Sequence, residues 1–154
     1  ARVQAEIVDL GFILVAEADR IDIDANGDLY IYDYKTGTPP TTPEQTFFDK
    51  QLLLEAAIAE RAGFGALHPS HVARAIYIGL GSPPREVPAP LADEPPEKVW
   101  QELRILITSW QEANRGYVSR RAMKQVSDAG DYDQLARFGE WDITDDPTVI
   151  KVPK

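Results

Sequence analysis

The sequence predicts an α/β sandwich, in which a central mixed β-sheet is flanked by helices. Three observations carry this prediction. Alternating segments meet at Asn26-Gly27, the dipeptide most typical of a tight β-hairpin turn. A segment that starts with capping-box spacing at Thr42 and stops at Gly63 predicts a helix. A β-branched, apolar run around Ile76 predicts a strand buried on both faces.

The first part of the chain is predicted to form strands. Residues 3–24 carry apolar runs and alternation, so we expect two strands of a meander, the second with Glu17 and Asp19 on one face. Residues 24–28 then form the turn, and the strand that carries Asp19 folds back beside the strand that carries Asp33. Glu17 is either a further site residue or simply an exposed strand residue.

The predicted helix 42–63 has two polar residues, Gln51 and Glu55, on an otherwise apolar stripe. Either both lie at the edge of the stripe in solvent, or they face a polar site. In the second case each needs a partner, because a buried amide or carboxylate without one is costly.

The remaining elements follow in order. His71 to Leu80 is predicted to be the central strand, and the proline-rich residues 82–96 an irregular connection or edge strand. Residues 93–114 are predicted to form a second helix, whose core stripe is Val99, Leu103, Leu106, Trp110 and Ala113. We expect one domain over residues 1–154, with an acidic tail, 128–154, that docks on the body through a short helical phrase at 132–138.

Composition narrows the possible settings of the protein. Without cysteine the chain has no disulfide partner and no thiolate metal site, which fits the cytoplasm. No apolar run is long enough for a membrane span. The net charge of -9 is unusual for a DNA-binding domain, which is normally basic. Either other domains or a partner subunit supply most of the DNA path, or the protein does not bind DNA.

The centre of the pattern is a set of charged residues at the end of the predicted hairpin. Side chains alternate along a strand, so Asp33 and Lys35 point to the same face, and the hairpin brings Asp19 to the same surface. Two carboxylates and a backbone carbonyl are the oxygen ligands that magnesium or manganese prefers. The lysine is then free to orient a nucleophile and to offset transition-state charge.

These residues resemble the PD-(D/E)xK nuclease superfamily in its RecB-like branch. The closer resemblance is to the C-terminal nuclease domain of AddB-type double-strand-break repair proteins, and it covers about residues 16–141. Similar phrases occur there in the same order, and in this chain they stand at residues 18–22, 33–37, 51–58, 116–121 and 132–137.

The resemblance implies a restriction-endonuclease-like sandwich and a Mg2+-dependent deoxyribonuclease, with Mn2+ as a possible substitute. Its implied partners are DNA and an AddA-type helicase-nuclease subunit. The residues that it implies as catalytic are Asp19, Asp33, Lys35 and Gln51, and those that it implies as metal ligands are Asp19, Asp33 and the backbone carbonyl of Tyr34. Glu55 stands where the family's Gln-x-x-x-Tyr motif has tyrosine, which leaves its role open.

Two other functions compete with this one. A nuclease fold without chemistry would guide or scan DNA inside a helicase-nuclease. A carboxylate hydrolase would use Asp19 and Asp33 as acid and base, without metal. The opening residues look like an interior stretch of a longer protein. We therefore expect an N-terminally truncated fragment that lacks the upstream acidic or histidine ligand of its relatives.

Overall fold

The computed structural model of the chain describes residues 2–117, 130–137, 139–141, 144–146 and 148–151. The chain divides into two compact units, Ala1–Trp110 and Gln111–Lys154. All of the strands described lie in the first unit. Within the described ranges, no helix has both the length and the apolar character needed to cross a membrane.

The prediction of a short helix in the second unit is wrong. Residues 132–137 form turns rather than a helix, and Phe138 lies outside the described residues. The Asp133 carboxylate accepts a hydrogen bond from the Gly130 N–H at 2.7 Å, and this kind of local side-chain bond competes with helix formation. Docking of the tail, 128–154, stays a prediction.

The first unit contains nine regular elements and one 3-10 turn, Val8–Leu10, among the residues that are described. The strands are β1 Arg2–Ile7, β2 Phe12–Glu17, β3 Arg20–Ile23, β4 Leu29–Lys35, β5 Val72–Gly79 and β6 Arg85–Pro88. The helices are α1 Thr42–Phe47, α2 Gln51–Ala62 and α3 Pro96–Gln111, the last of which ends one residue into the second unit.

The strands form two sheets. Strands β1 and β2 pair antiparallel, and a four-stranded sheet has the order β3-β4-β5-β6. In the larger sheet β4 and β5 are parallel, whereas the outer pairs are antiparallel. The predicted mixed α/β fold is therefore confirmed, as are a central β5 and an edge strand in the proline-rich segment.

The prediction of a single strand through Glu17 and Asp19 is wrong. Pairing of β2 with β1 ends at Arg2 opposite Glu17, and the next paired residue, Arg20, lies opposite Tyr32 in the other sheet. The chain therefore changes sheets at Ala18 and Asp19. Asp19 lies just before β3 rather than within a strand.

The predicted helix 42–63 is two helices with a break between them. The Glu44 carbonyl accepts hydrogen bonds from the N–H groups of Phe48 and Asp49, both at 2.8 Å, which closes α1. The Lys50 ammonium then lies 3.2 Å from a Glu94 carboxylate oxygen, which anchors the break. As a result Gln51 is the first residue of α2 rather than a residue in the middle of a long helix.

The core lies between α2, α3 and the sheets. Helix α2 buries seven residues, listed here: Leu52, Leu53, Glu55, Ala56, Ala57, Ile58 and Ala59. Helix α3 begins three residues later than predicted, and its predicted stripe is confirmed only in part. Val99 is buried and Leu103 packs against the core, whereas Leu106 is 40% exposed. The other buried positions are Trp100 and Ile107, and the Arg61 guanidinium lies 5.0 Å from the centroid of the Trp100 ring.

Candidate active site

The end of β4 carries an acidic and a basic side chain on one face. Asp33 and Lys35 are two residues apart in the strand, and Lys35 Nζ lies 2.8 Å from Asp33 Oδ2. Asp33 is buried, with 5% of its surface exposed, whereas the Lys35 side chain is 35% exposed. The carboxylate is therefore held inside the protein while the ammonium reaches solvent.

Gln51 joins these two residues from the first turn of α2. Its Oε1 accepts a hydrogen bond from Lys35 Nζ at 3.0 Å, and its Nε2 donates to Asp33 Oδ1 at 2.6 Å. The same Nε2 donates to Glu55 Oε1 at 3.1 Å. Although Gln51 is exposed, its amide is committed to the charged cluster, which favours the site over the solvent-edge alternative.

Asp19 reaches the same strand from the point where the chain changes sheets. Its Oδ2 accepts a hydrogen bond from the Tyr34 N–H at 2.9 Å. The Lys35 carbonyl accepts from Leu80 N–H on the β5 side, and successive peptide groups alternate sides along a strand. The Tyr34 N–H and carbonyl therefore both point toward the β3 side, where Asp19 lies.

Glu55 is a second buried carboxylate beside the cluster. It is 3% exposed, and its Oε2 accepts no hydrogen bond from the residues described. Burial raises the pKa of Glu55 to about 7; the Gln51 hydrogen bond opposes this shift, and the charges of Asp33 and Asp19 add to it. The solvent-edge alternative for Glu55 is therefore wrong, because the side chain is enclosed.

We expect this carboxyl group to make stability depend on pH. Its folded-state pKa of about 7 lies above the ordinary value of 4.5, so between these values the folded protein binds more protons than the unfolded chain. The free energy of unfolding should then fall as pH rises through this window, by on the order of 3 kcal/mol. Urea denaturation at about pH 5 and about pH 8 measures the change.

Glu55→Gln tests the assignment, since glutamine keeps the shape and does not titrate. The variant should lose most of this pH dependence and be more stable than the parent at the higher pH. Glu86→Gln is the matched control, because Glu86 is exposed on β6, and it should keep the parental slope. An unchanged slope in Glu55→Gln would contradict the assignment.

Tyr77 is a site neighbour that the sequence pattern did not identify. Parallel pairing places it opposite Asp33, and its ring centroid lies 5.3 Å from Lys35 Nζ. Its hydroxyl oxygen accepts a hydrogen bond from the Leu52 N–H at 3.4 Å. Burial raises the pKa of Tyr77 to about 12, so it stays a neutral phenol that covers one side of the ammonium. The register of two distant parallel strands leaves no local signal that would have identified it.

The oxygen atoms in this cluster are of the chemical kind that binds a divalent cation. Lys35 Nζ is close to Asp33 Oδ2 but not directed at it as a hydrogen bond, so this buried oxygen and Glu55 Oε2 both lack a donor among the described residues. Carboxylate oxygens and a strand carbonyl are hard ligands of the kind that Mg2+ and Mn2+ take, and water or a phosphate completes their shell. Across the described part of the chain, no three His, Cys, Asp or Glu side chains form a ready-made metal cluster. The fit therefore depends on two carboxylates, those of Asp19 and Asp33, with the Tyr34 carbonyl.

Other predicted candidates lie outside this cluster. Glu17 is exposed at the end of β2 and pairs in register with Arg2. The sequence also has a basic cluster, Arg115, Arg120, Arg121 and Lys124, which is either a contact for a DNA strand or a solvated segment; the last three of these residues lie outside the described residues.

The site thus combines a buried carboxylate, a partly exposed ammonium and a second carboxylate at one edge of a mixed sheet. The model of the PD-(D/E)XK nuclease superfamily matches residues 1–137, and the chain belongs to this superfamily. A search of curated proteins and a search of solved structures each found no match. The predicted superfamily is confirmed, and the roles of individual residues stay predictions.

Proposed function

We propose that this chain is a metal-dependent deoxyribonuclease domain that hydrolyses phosphodiester bonds in single strands. The observation that carries the proposal is the buried Asp33 carboxylate, tied by Gln51 and Lys35 into one network at the edge that Asp19 also reaches. Superfamily membership supports the nuclease chemistry.

In this proposal some residues of the chain bind the metal, and others orient the water and the metal ligands. Asp19, Asp33 and the Tyr34 carbonyl would hold Mg2+ or Mn2+, and the cation would supply Lewis-acid chemistry, polarising the phosphate and lowering the pKa of water. Lys35 directs its partly exposed ammonium at the attacking water and offsets charge on the phosphate oxygens. Gln51 fixes the positions of both Asp33 and Lys35 by accepting from one and donating to the other.

The proposal also covers the complex and the cellular process in which the domain acts. The order of the similar phrases supports an AddB-type, RecB-like domain in a helicase-nuclease that resects double-strand breaks, together with an AddA-type subunit. The net charge of -9 fits this setting, because a partner would then supply most of the cationic DNA path. Recombinational repair of broken DNA is the process that we infer.

An inactive module that guides DNA is the second candidate. It is favoured by the absence, among the described residues, of a cluster of three His, Cys, Asp or Glu side chains that could hold a metal. Such a module would bind a single strand but would have no need of a metal at Asp19 and Asp33.

Cleavage of an end-labelled single-stranded oligonucleotide separates these functions. We expect cutting with Mg2+ or Mn2+ and none with a chelator, because the carboxylates act through the cation. Binding without cutting under every metal would favour the guiding module. Cutting that survives the chelator would contradict metal dependence and favour carboxylate acid–base hydrolysis.

A further inference from the structure

A cavity of about 350 Å3 lies directly beyond Lys35, between two loops at the carboxyl ends of β4 and β5. One wall is the loop 36–39, and the other is formed by residues that include Ser82 and Arg85. Gly79 lies between the walls, and a Cβ atom there would come within 2.9 Å of the Pro39 side chain. Glycine at this position therefore permits the close approach of the loop 36–39 to the end of β5.

The lining has the chemistry of a phosphate site. The residues that line it include three with hydroxyl groups, Thr36, Thr38 and Ser82, together with Gly37 and Arg85, and none of them carries a carboxylate. Hydroxyl groups, backbone N–H groups and arginine are the usual donors to phosphate oxygens along a nucleic-acid strand. The absence of acid from this wall contrasts with the acidic character of the whole chain.

The Arg85 guanidinium forms no ion pair with a carboxylate among the described residues. Other cations of the first unit, such as Lys50, Arg61 and Arg104, form ion pairs with carboxylates. Arg85 is exposed, and it has no carboxylate within ion-pair distance in the part of the chain that the structure describes. A ligand anion at the cavity therefore meets an uncompensated guanidinium.

Strand pairing connects this cavity to the candidate active site. Lys35 lies opposite Gly79, and Gly79 lies opposite Arg85, so the three residues form one row across β4, β5 and β6. Side chains in one such row share a face of the sheet. Two strand spacings separate Lys35 from Arg85, about 10 Å, which a few nucleotides of extended strand can span.

A buried amide links the segments that lead away from the cavity. Gln45 is fully buried, and its Nε2 donates to the Pro40 carbonyl, one residue beyond the loop 36–39, and to the Pro88 carbonyl, three residues beyond Arg85, at 3.2 and 3.4 Å. These bonds hold the chain after the loop against β6, as expected near a binding site that is formed before its ligand arrives.

We propose that this cavity binds an internucleotide phosphate of the substrate strand, adjacent to the bond that is cut, with Arg85 as its positioning residue. The inference rests on the proposed nuclease function and adds to it the path of the strand away from Lys35. The ligand is a phosphodiester within a single strand, rather than free phosphate or a mononucleotide.

Binding of a fluorescent single-stranded oligonucleotide, measured by anisotropy in chelator across a salt series, tests this inference without cleavage. Arg85→Gln should weaken binding and lower the slope of log affinity against log salt by about 0.7, the value for one phosphate contact to a single strand. Arg74→Gln is the matched control. Arg74 is also exposed and has no ion pair among the described residues, but it lies at the opposite end of β5, opposite Tyr30. Its slope should equal that of the parent.

Competition experiments and cleavage assays identify the ligand and separate the two hypotheses. Unlabelled oligonucleotide should displace the probe, whereas inorganic phosphate and mononucleotide at equal phosphate concentration should not; displacement by either would overturn the assignment to a strand. If Arg85→Gln and Arg74→Gln show the same slope of log affinity against log salt while the parent cuts DNA, the cavity does not bind the strand. The nuclease proposal is then unaffected. A parent that neither binds nor cuts, even when it is assembled in the full-length complex with its partner subunit, would overturn both.

Discussion

Asp33→Asn is expected to lower the rate of DNA cleavage by about 10³-fold or more, since it removes one of the two carboxylates proposed to hold the metal. Asparagine keeps the shape of the side chain and can still accept the Gln51 hydrogen bond through Oδ1. Because the side chain is buried, removal of its charge also removes a desolvation cost, so we expect the fold to persist. Initial rates on an end-labelled single strand at saturating Mg2+ measure the effect.

Asp22→Asn is the matched control for this substitution. Asp22 lies in the neighbouring strand β3, where its exposed carboxylate pairs with Arg20. Exposed pairs of this kind contribute little to stability, and Asp22 makes no contact with the Gln51 network among the contacts described. Its cleavage rate should stay within about threefold of the parent. A rate for Asp33→Asn that matches the Asp22→Asn rate would refute the role of Asp33.

Lys35→Met is expected to have the second-largest effect, a loss of about 10²- to 10³-fold in cleavage rate. Methionine keeps much of the aliphatic stem but removes the ammonium, which lies 5.3 Å from the centroid of the Tyr77 ring. The Asp33 carboxylate also loses its ion partner, so we expect the free energy of unfolding to fall by about 1–3 kcal/mol. Cleavage rates and urea denaturation are to be measured on the same preparations.

Lys98→Met separates the loss of chemistry from the loss of stability. Lys98 pairs with the buried carboxylate of Glu94, as Lys35 pairs with that of Asp33, but it lies in α3. The control should lose stability and keep its cleavage rate per folded molecule. If Lys35→Met is no slower than Lys98→Met at equal folded fraction, Lys35 has no role in the chemistry.

The parts of the site that could be predicted are those that local rules determine. The period of two along a strand places Asp33 and Lys35 on one face, and their 2.8 Å contact agrees with that rule. The turn at residues 24–28 also has a local cause, because Asp24 Oδ1 accepts hydrogen bonds from the N–H groups of Asn26 and Asp28.

The parts that could not be predicted depend on contacts between distant segments. Tyr77 lies beside Asp33 because two parallel strands, far apart in the chain, meet in one particular register. Glu55 is enclosed because α2 packs against both sheets, and no pattern within the helix distinguishes this from an exposed edge. The break before Gln51 likewise depends on Lys50 meeting Glu94, 44 residues later.

The position of Asp19 shows how such errors affect a site. The alternation of side chains predicted one strand that runs through both Glu17 and Asp19. In the structure Glu17 ends a strand of one sheet and Arg20 begins a strand of the other, so the chain is divided between the two residues. The error in the strand did not move Asp19 away from the site, because the hairpin still carries its carboxylate to the Tyr34 N–H.

The most direct test of the central claim is an anomalous difference map from crystals of the protein soaked in Mn2+. We expect a peak bounded by the carboxylates of Asp19 and Asp33 and by the carbonyl of Tyr34, and we expect it to be lost in Asp33→Asn crystals. A map with no peak among these three groups, from crystals whose protein cuts DNA in the same Mn2+, would contradict it.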